Sequence, residues 1–217
     1  MEKGTKLLNG AIWKGIVSFA IPLFLGNLFQ QLYNAVDSLI VGNFLGSDAL
    51  AAVSSSGSLI FLMVGFFNGI AVGAGVVISK YFGAGDAEGL KKAVHTDIAF
   101  GLAAGCILTA IGMILAPQIL VLMGTPESVL PNSIVYFRVY FAGSVAFVMY
   151  NIMMGILQAV GDSKHPLYYL MISSAVNVVL DLLFVGVLGF GVGSAALATI
   201  ISQAVSAVLC FGRLMRT

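Results

Sequence analysis

The sequence predicts an all-α polytopic membrane protein built as a bundle of six transmembrane helices. Composition is the first reason. Of 217 residues, 59% are hydrophobic and only 9% charged, and mean hydropathy is +1.05. Soluble domains are roughly 45–50% apolar and about 25% charged, so this chain has too little polar surface to coat a globule in water. Segmentation is the second reason. Six apolar runs reach the ~20 residues a spanning helix needs: 14–42, 50–80, 93–115, 131–158, 165–187 and 193–212. Their apolar residues are continuous, whereas a β-barrel strand alternates. Together they form a single membrane unit over 1–217.

The first run follows Lys3, Lys6 and Lys14. Its length exceeds the ~7–15 residues of a secretory h-region, so it reads as a retained span. Pro22 removes one backbone hydrogen bond within it and predicts a bend. "GNFLGSDAL" closes this span, with Ser47 and Asp48 expected to cap the next. Rows of small residues, Gly65, Gly69 and Gly73 in span 2 and Gly101 with Gly105 in span 3, predict close helix contacts. "KYFGAGDAEGLKK" reads as a glycine-rich polar loop. "APQILVLMGTPESVLPNS" holds three prolines and reads as a break with a short interfacial helix. "GDSKHP" is a tight turn between spans 4 and 5, and "GVLGFGVGS" an uncharged turn before span 6. No internal repeat is apparent.

Basic residues set the orientation. Lys3, Lys6, Lys14, Lys80, Lys91, Lys92, Lys164, Arg213 and Arg216 fall on one side of a six-span arrangement. By the positive-inside rule both termini are cytoplasmic, in a multi-pass protein of the cell membrane. Arg138 stands apart, early in span 4, where it can snorkel or pair. Net charge is +1 and no basic run points to nucleic acid. Cys106 and Cys210 lie in apolar segments without metal or redox spacing. His95 and His165 sit at span ends beside lysines and read as solvated. No nucleophile–His–acid set and no phosphate-gripping loop is present: "GAGDAEG" lacks the Lys-Ser/Thr. The chain is therefore not read as an enzyme, and needs no cofactor.

Polar residues inside the spans carry the function. Asn27, Gln30, Asn34 and Asp37 recur at helical spacing, which places them on one face of span 1. Span 5 repeats this with Ser173, Asn177 and Asp181, and span 6 with Thr199, Ser202, Gln203 and Ser206. A carboxylate at a spanning helix's centre costs roughly 2.5–3.5 kcal/mol, so these faces are expected to look inward. Should the stripes converge, Asp37, Asn177, Asp181 and Thr199 share one pocket of hard oxygen ligands. That donor set suits a proton or a small hard cation such as sodium, not zinc or copper, and two neighbouring carboxylates titrate as a unit. The alternative is two independent structural carboxylates.

These residues resemble a known family. "IPLFLGNLFQQLYNAVDSLIVGNFLG", "GIAVGAGVVISKYFGAGD", "GILQAVGDSKHP" and "NVVLDLLFVGVLGFGVGSAALAT", in that order, are similar to the N-terminal lobe of multidrug and toxic compound extrusion (MATE) transporters, in particular the DinF-like branch. The resemblance covers nearly the whole chain. It implies one six-helix lobe of a twelve-helix antiporter that exports amphipathic organic cations or drugs against inward sodium or proton flow. It implies a coupling-ion site (Na+ or H+) at Asp37, Asn177, Asp181 and Thr199, with Pro22 as a hinge; Asn27, Gln30, Asn34, Ser173, Ser202 and Gln203, read from their spacing, are expected to line the substrate cavity or to support that site. The family's drug cavity lies between two lobes, so the partners implied are the bilayer, a drug and a second six-helix lobe. A parallel homodimer is topologically allowed. The alternative is a truncated or split half that folds or dimerises but needs a second lobe to transport. A lipid-linked-sugar flippase would be expected to carry many basic cavity residues, and Arg138 alone does not supply them.

Overall fold

The computed structural model describes residues 12–216. Lys3 and Lys6 fall outside the described residues. Among the described residues there are seven α-helices and one π-helical segment: α1 (Ile12–Leu45), α2 (Ser47–Ala84), α3 (Ala87–Leu122), α4 (Leu130–Ala142), α5 (Ser144–Ala159), α6 (Lys164–Asp181) running into the π segment (Leu182–Val187), and α7 (Gly193–Leu214). Five of these, α6 counted with the π segment, are long and apolar enough to cross a membrane, and α4 with α5, bent by 50°, makes a sixth when the pair is counted as one span. At 1.5 Å per residue, α1 to α3 are each about 50 Å or longer, more than the ~30 Å hydrocarbon core.

The breaks are shorter than the sequence suggests. The turn into α2 is made by Gly46 at φ 86, with no side-chain cap, so Ser47 and Asp48 are first-turn residues and not caps. Left-handed backbone without a Cβ clash is what glycine supplies there. "KYFGAGDAEGLKK" is not a loop: only Gly85, left-handed at φ 69, and Asp86 interrupt the helices. Asp86 caps α3 by accepting from the Gly89 amide at 2.9 Å. The predicted interfacial helix after residue 115 is absent, because α3 continues through Pro117 to Leu122. Burying Ala116 and Leu120 completely offsets the hydrogen bond that Pro117 removes. Likewise α1 runs unbroken through Pro22.

The core sits around α5, which packs against α2, α3 and α7. Its seam with α3 is shaped by glycine. A Cβ on Gly105 would lie 2.8 Å from the Val145 backbone, and a Cβ on Gly101 would collide with Ile152; further along α3, a Cβ on Gly112 would collide with Phe141 of α4. The bend between α4 and α5 falls at Gly143, whose missing side chain leaves the space that Ile200 of α7 fills. The other glycine row behaves differently. Gly65, Gly69 and Gly73 face open space, so the expected close contact along α2 does not form. That face of α2 has no helix of this chain against it.

Burial is graded across the bundle. Half of α7's most apolar stretch is buried, against 6% for α1. Among the described residues, helix α1 leans mainly on α6, α2 and the π segment. Its remaining faces are open, with Phe24 at 67% and Leu39 at 63% exposure. In lipid such faces are solvated by acyl chains and need no protein partner.

Candidate functional site

Three helices bring polar side chains to one buried place. Helix α6 contributes Ser173, Asn177 and Asp181, four residues apart and therefore stacked on one face. Asp181 ends the α-helix, and the π segment starts at Leu182. Such π turns widen the helix locally and often occur at functional sites. Helix α7 contributes Thr199, Ser202, Gln203 and Ser206, all buried. Asp37 comes from α1.

Within this group Asp181 and Asn177 are fully buried, and Asp37 and Thr199 nearly so. The Asp37 and Asp181 carboxyls face each other at side-chain hydrogen-bonding range. Asn177 Nδ2 donates to Thr199 Oγ1 at 3.4 Å. Thr199 Oγ1 in turn donates to the Ala195 carbonyl at 3.1 Å, and Ser202 Oγ to the Thr199 carbonyl at 2.7 Å. Four acceptor oxygens in the pocket find no donor: Asp37 Oδ1, Asn177 Oδ1 and both oxygens of Asp181. Gln203 Oε1 is also without one. Buried polar atoms are almost always satisfied. A group of unsatisfied acceptors that includes two carboxylates is a set of hard oxygen ligands. A sodium ion or a shared proton would supply what they lack.

The α1 stripe does not turn inward as a whole. Asp37 is buried and Gln30 half-buried, but Asn27 and Asn34 are exposed. Asn34 Nδ2 reaches only its neighbour Gln31 Oε1, at 3.4 Å. The reason is the peripheral position of α1: it meets α6 along one side only, where Gly26 faces Leu167 and Leu170, and Asn27 and Asn34 fall on its open side. Pro22 is buried.

Sequence reasoning missed three tyrosines. Tyr33, one turn before Asp37, hydrogen-bonds Thr199. Tyr136 and Tyr140 on α4, with ring centroids 6.3 Å apart, lie within electrostatic range of Asp37. A buried tyrosine hydroxyl needs a polar partner, so the pair in "VYFRVYFAG" was the available signal. Asp97 on α3 was also missed; it is buried away from this group. His165 is not simply solvated: its Nδ1 lies 2.7 Å from the Asp162 carboxylate. His95 is exposed, with Nδ1 2.7 Å from the Lys91 carbonyl, and Arg138 is exposed on α4.

The MatE family description matches residues 22–183. The chain is 38% identical over 196 residues to the probable multidrug resistance protein YoeA of Bacillus subtilis, covering 88% of this chain and 42% of that one. It is 32% identical over 206 residues to the probable multidrug resistance protein YpnP of the same organism, covering 94% and 46%. Among solved structures, an outward-facing multidrug resistance MATE family transporter of the MOP superfamily superposes with a TM-score of 0.91 at 32% identity, over 98% of this chain and 47% of that one. The chain thus spans less than half the length of the relatives it matches.

Proposed function

The chain belongs to the MatE family, whose members are membrane transporters and not enzymes, and from that premise we propose that it is the N-terminal lobe of a cation-coupled multidrug efflux antiporter of the DinF-like branch. The observation that carries this reading is the buried group of donorless oxygens at Asp37, Asn177 and Asp181, beside Thr199. These residues would hold the coupling ion, sodium or a proton. Sodium needs the carboxylates ionised, so protonation competes with it at the same oxygens. Ion binding can move the protein only by favouring one conformation over another. The element to move is α1, which carries Asp37 and leans on few neighbours. Pro22 is where it would bend. The cargo would be an amphipathic organic cation or drug in a cavity shared with a second six-helix lobe. Lys80, Lys91, Lys92, Lys164, Arg213 and Arg216 then face the cytoplasm with both termini, in the cell membrane.

A second reading has its own observation. Asn27 and Asn34 on α1 and the Gly65, Gly69 and Gly73 row on α2 are exposed, polar and small residues that no described helix covers. A half that folds but transports only when another lobe, or a second parallel copy, covers these residues would look the same. One experiment addresses both. The chain is produced alone, and together with the complementary half of a relative, in cells lacking drug pumps. Efflux of a fluorescent amphipathic cation is then followed under imposed sodium or proton gradients. Gradient-driven efflux lost in Asp181→Asn supports the antiporter; efflux only with the complementary half supports the second reading. Efflux indifferent to both gradients and to Asp181→Asn would refute ion coupling at this pair.

A further inference from the structure

The polar pocket does not end at Asn177 and Thr199. Helices α6 and α7 are antiparallel, and polar contacts recur along their seam toward the basic end of the bundle. Asn177 meets Thr199. Two turns further along each helix, Ser206 Oγ donates to the Tyr169 carbonyl at 3.2 Å. Between these rungs lie Ser173, Ser202 and Gln203, all buried. Gln203 Oε1 has no donor. Two more turns on, Arg213 Nε donates to Asp162 Oδ2 at 3.1 Å, and His165 holds the same carboxylate at 2.7 Å. Tyr150, Met153 and Leu157 of α5 and Ala207 and Cys210 of α7 pack as a separate apolar cluster, with Tyr169 of α6 against it; Ala207 and Cys210 lie on α7 between the last polar rung and this ion pair.

Each buried oxygen left unpaired costs about 1–3 kcal/mol, and here four of them, Asn177 Oδ1, both Asp181 oxygens and Gln203 Oε1, fall on two facing helices. The α3–α5 seam is filled mainly by glycine and bulky apolar side chains, with Asp97 and Asn151 also buried on its helices. We propose that the α6–α7 seam is an access route between the Asp37–Asp181 pair and the basic end of the bundle, and that the Asp162–Arg213 contact latches the apolar plug that closes it. What travels there, sodium or a proton, rests on the function proposed above; the route and its latch do not. The latch joins the α5–α6 turn to the end of α7, the two backbone segments that must part for the plug to open. Besides His165, the charged and titratable groups around it are Arg216, Tyr169 and Cys210.

Cys210 is a built-in reporter, fully buried in the plug. In a Cys106→Ala background, its rate of modification by a membrane-impermeant thiol reagent is measured in vesicles that expose the basic end. The proposal predicts that Asp162→Asn and Arg213→Gln each raise this rate about tenfold, as when an open state goes from about 1% to about 10% populated. The charge swap Asp162→Arg with Arg213→Asp restores the slow rate. With Cys106 and Cys210 both replaced by Ala, Gln203→Cys, deeper in the seam, accelerates with the latch broken. Ser133→Cys, buried near the opposite end, does not. Should one single variant fail to accumulate, the other and the swap read the same contact. An unchanged Cys210 rate in the variants that fold, or an equal gain at Ser133→Cys, which marks loosening of the whole bundle, overturns the proposal. Neither readout uses the coupling ion, so a failure of cation binding at Asp181 and a failure of the route are seen separately.

Discussion

Two helix seams in this bundle solve opposite problems. Between α3 and α5, glycines let apolar side chains enter the neighbouring helix's surface, and Gly101 and Gly105 have no room for a Cβ. Between α6 and α7, with α1 alongside, polar side chains are buried and several oxygens are left without donors. The first seam is close-packed in the way membrane helices associate without a hydrophobic drive. The second is poor packing material and has the chemistry of an ion site. On the proposed function, stability resides mainly in the first seam and ion binding in the second, and substitutions separate them.

The largest effect belongs to the packed seam. Gly105→Val must displace the Val145 backbone, because even a Cβ lies 2.8 Å from it. We expect a loss of about 3 kcal/mol, the upper end for overpacking, or no folded protein, read by unfolding in detergent and by recovered monodisperse yield. A tolerated valine would break the comparison at its stable end.

Next comes the Asp162 latch. Burial alone would raise this carboxyl, but the hydrogen bonds from His165 and Arg213 outweigh it and hold it below its ordinary value. The sign follows: the contact stabilises above the ordinary carboxylate pKa of about 4, and that contribution is lost as pH falls through the depressed value. Asp162→Asn should cost about 1–2 kcal/mol at neutral pH for a partly buried, charge-assisted contact. The gap to wild type should close below about pH 4. A gap independent of pH would show that the asparagine acts by shape and not by charge.

Asp181→Asn is expected to behave in the opposite way to Gly105→Val. Without a bound cation it removes a buried carboxylate facing another, so stability should stay level or rise by about 1 kcal/mol. A clear loss in cation-free buffer would make Asp181 a structural residue and merge the two seams. The smallest effect is Gly69→Ala, where the added Cβ meets nothing within 4 Å. Less than about 0.5 kcal/mol is expected in the isolated chain, and a larger loss would mean that this face of α2 is covered.

Much of this division was legible in the sequence, and the failures are instructive. Six apolar runs marked the spans, because composition and length alone decide membrane helices. The spacing of Asn177 and Asp181 placed both on one face, and the structure brings Asp37 and Thr199 to them. The glycine rows could not be ranked from spacing: Gly65, Gly69 and Gly73 look like Gly101 and Gly105 in sequence, yet only the second row has helix α5 against it. The α1 stripe was over-read for the same reason. Helical spacing shows that Asn27 and Asn34 share a face with Asp37, but not how much of that face the neighbouring helices cover. Loops were drawn too long because "KYFGAGDAEGLKK" and "APQIL" contain breakers that long, packed helices absorb. Tyr136 and Tyr140 were invisible because their link to Asp37 crosses from α4 to α1.

The most direct test of the central claim is thermal unfolding of the purified chain against sodium concentration, with choline holding ionic strength, repeated across a pH series. Wild type, Asp37→Asn and Asp181→Asn are compared. A ligand that binds only the folded state adds about 2.7 kcal/mol at a hundred times its Kd. The account predicts that wild type is stabilised by sodium in competition with protons, or by protons alone, and that both variants lose that response together. A wild type indifferent to both ions, or variants that respond as wild type does, would contradict it.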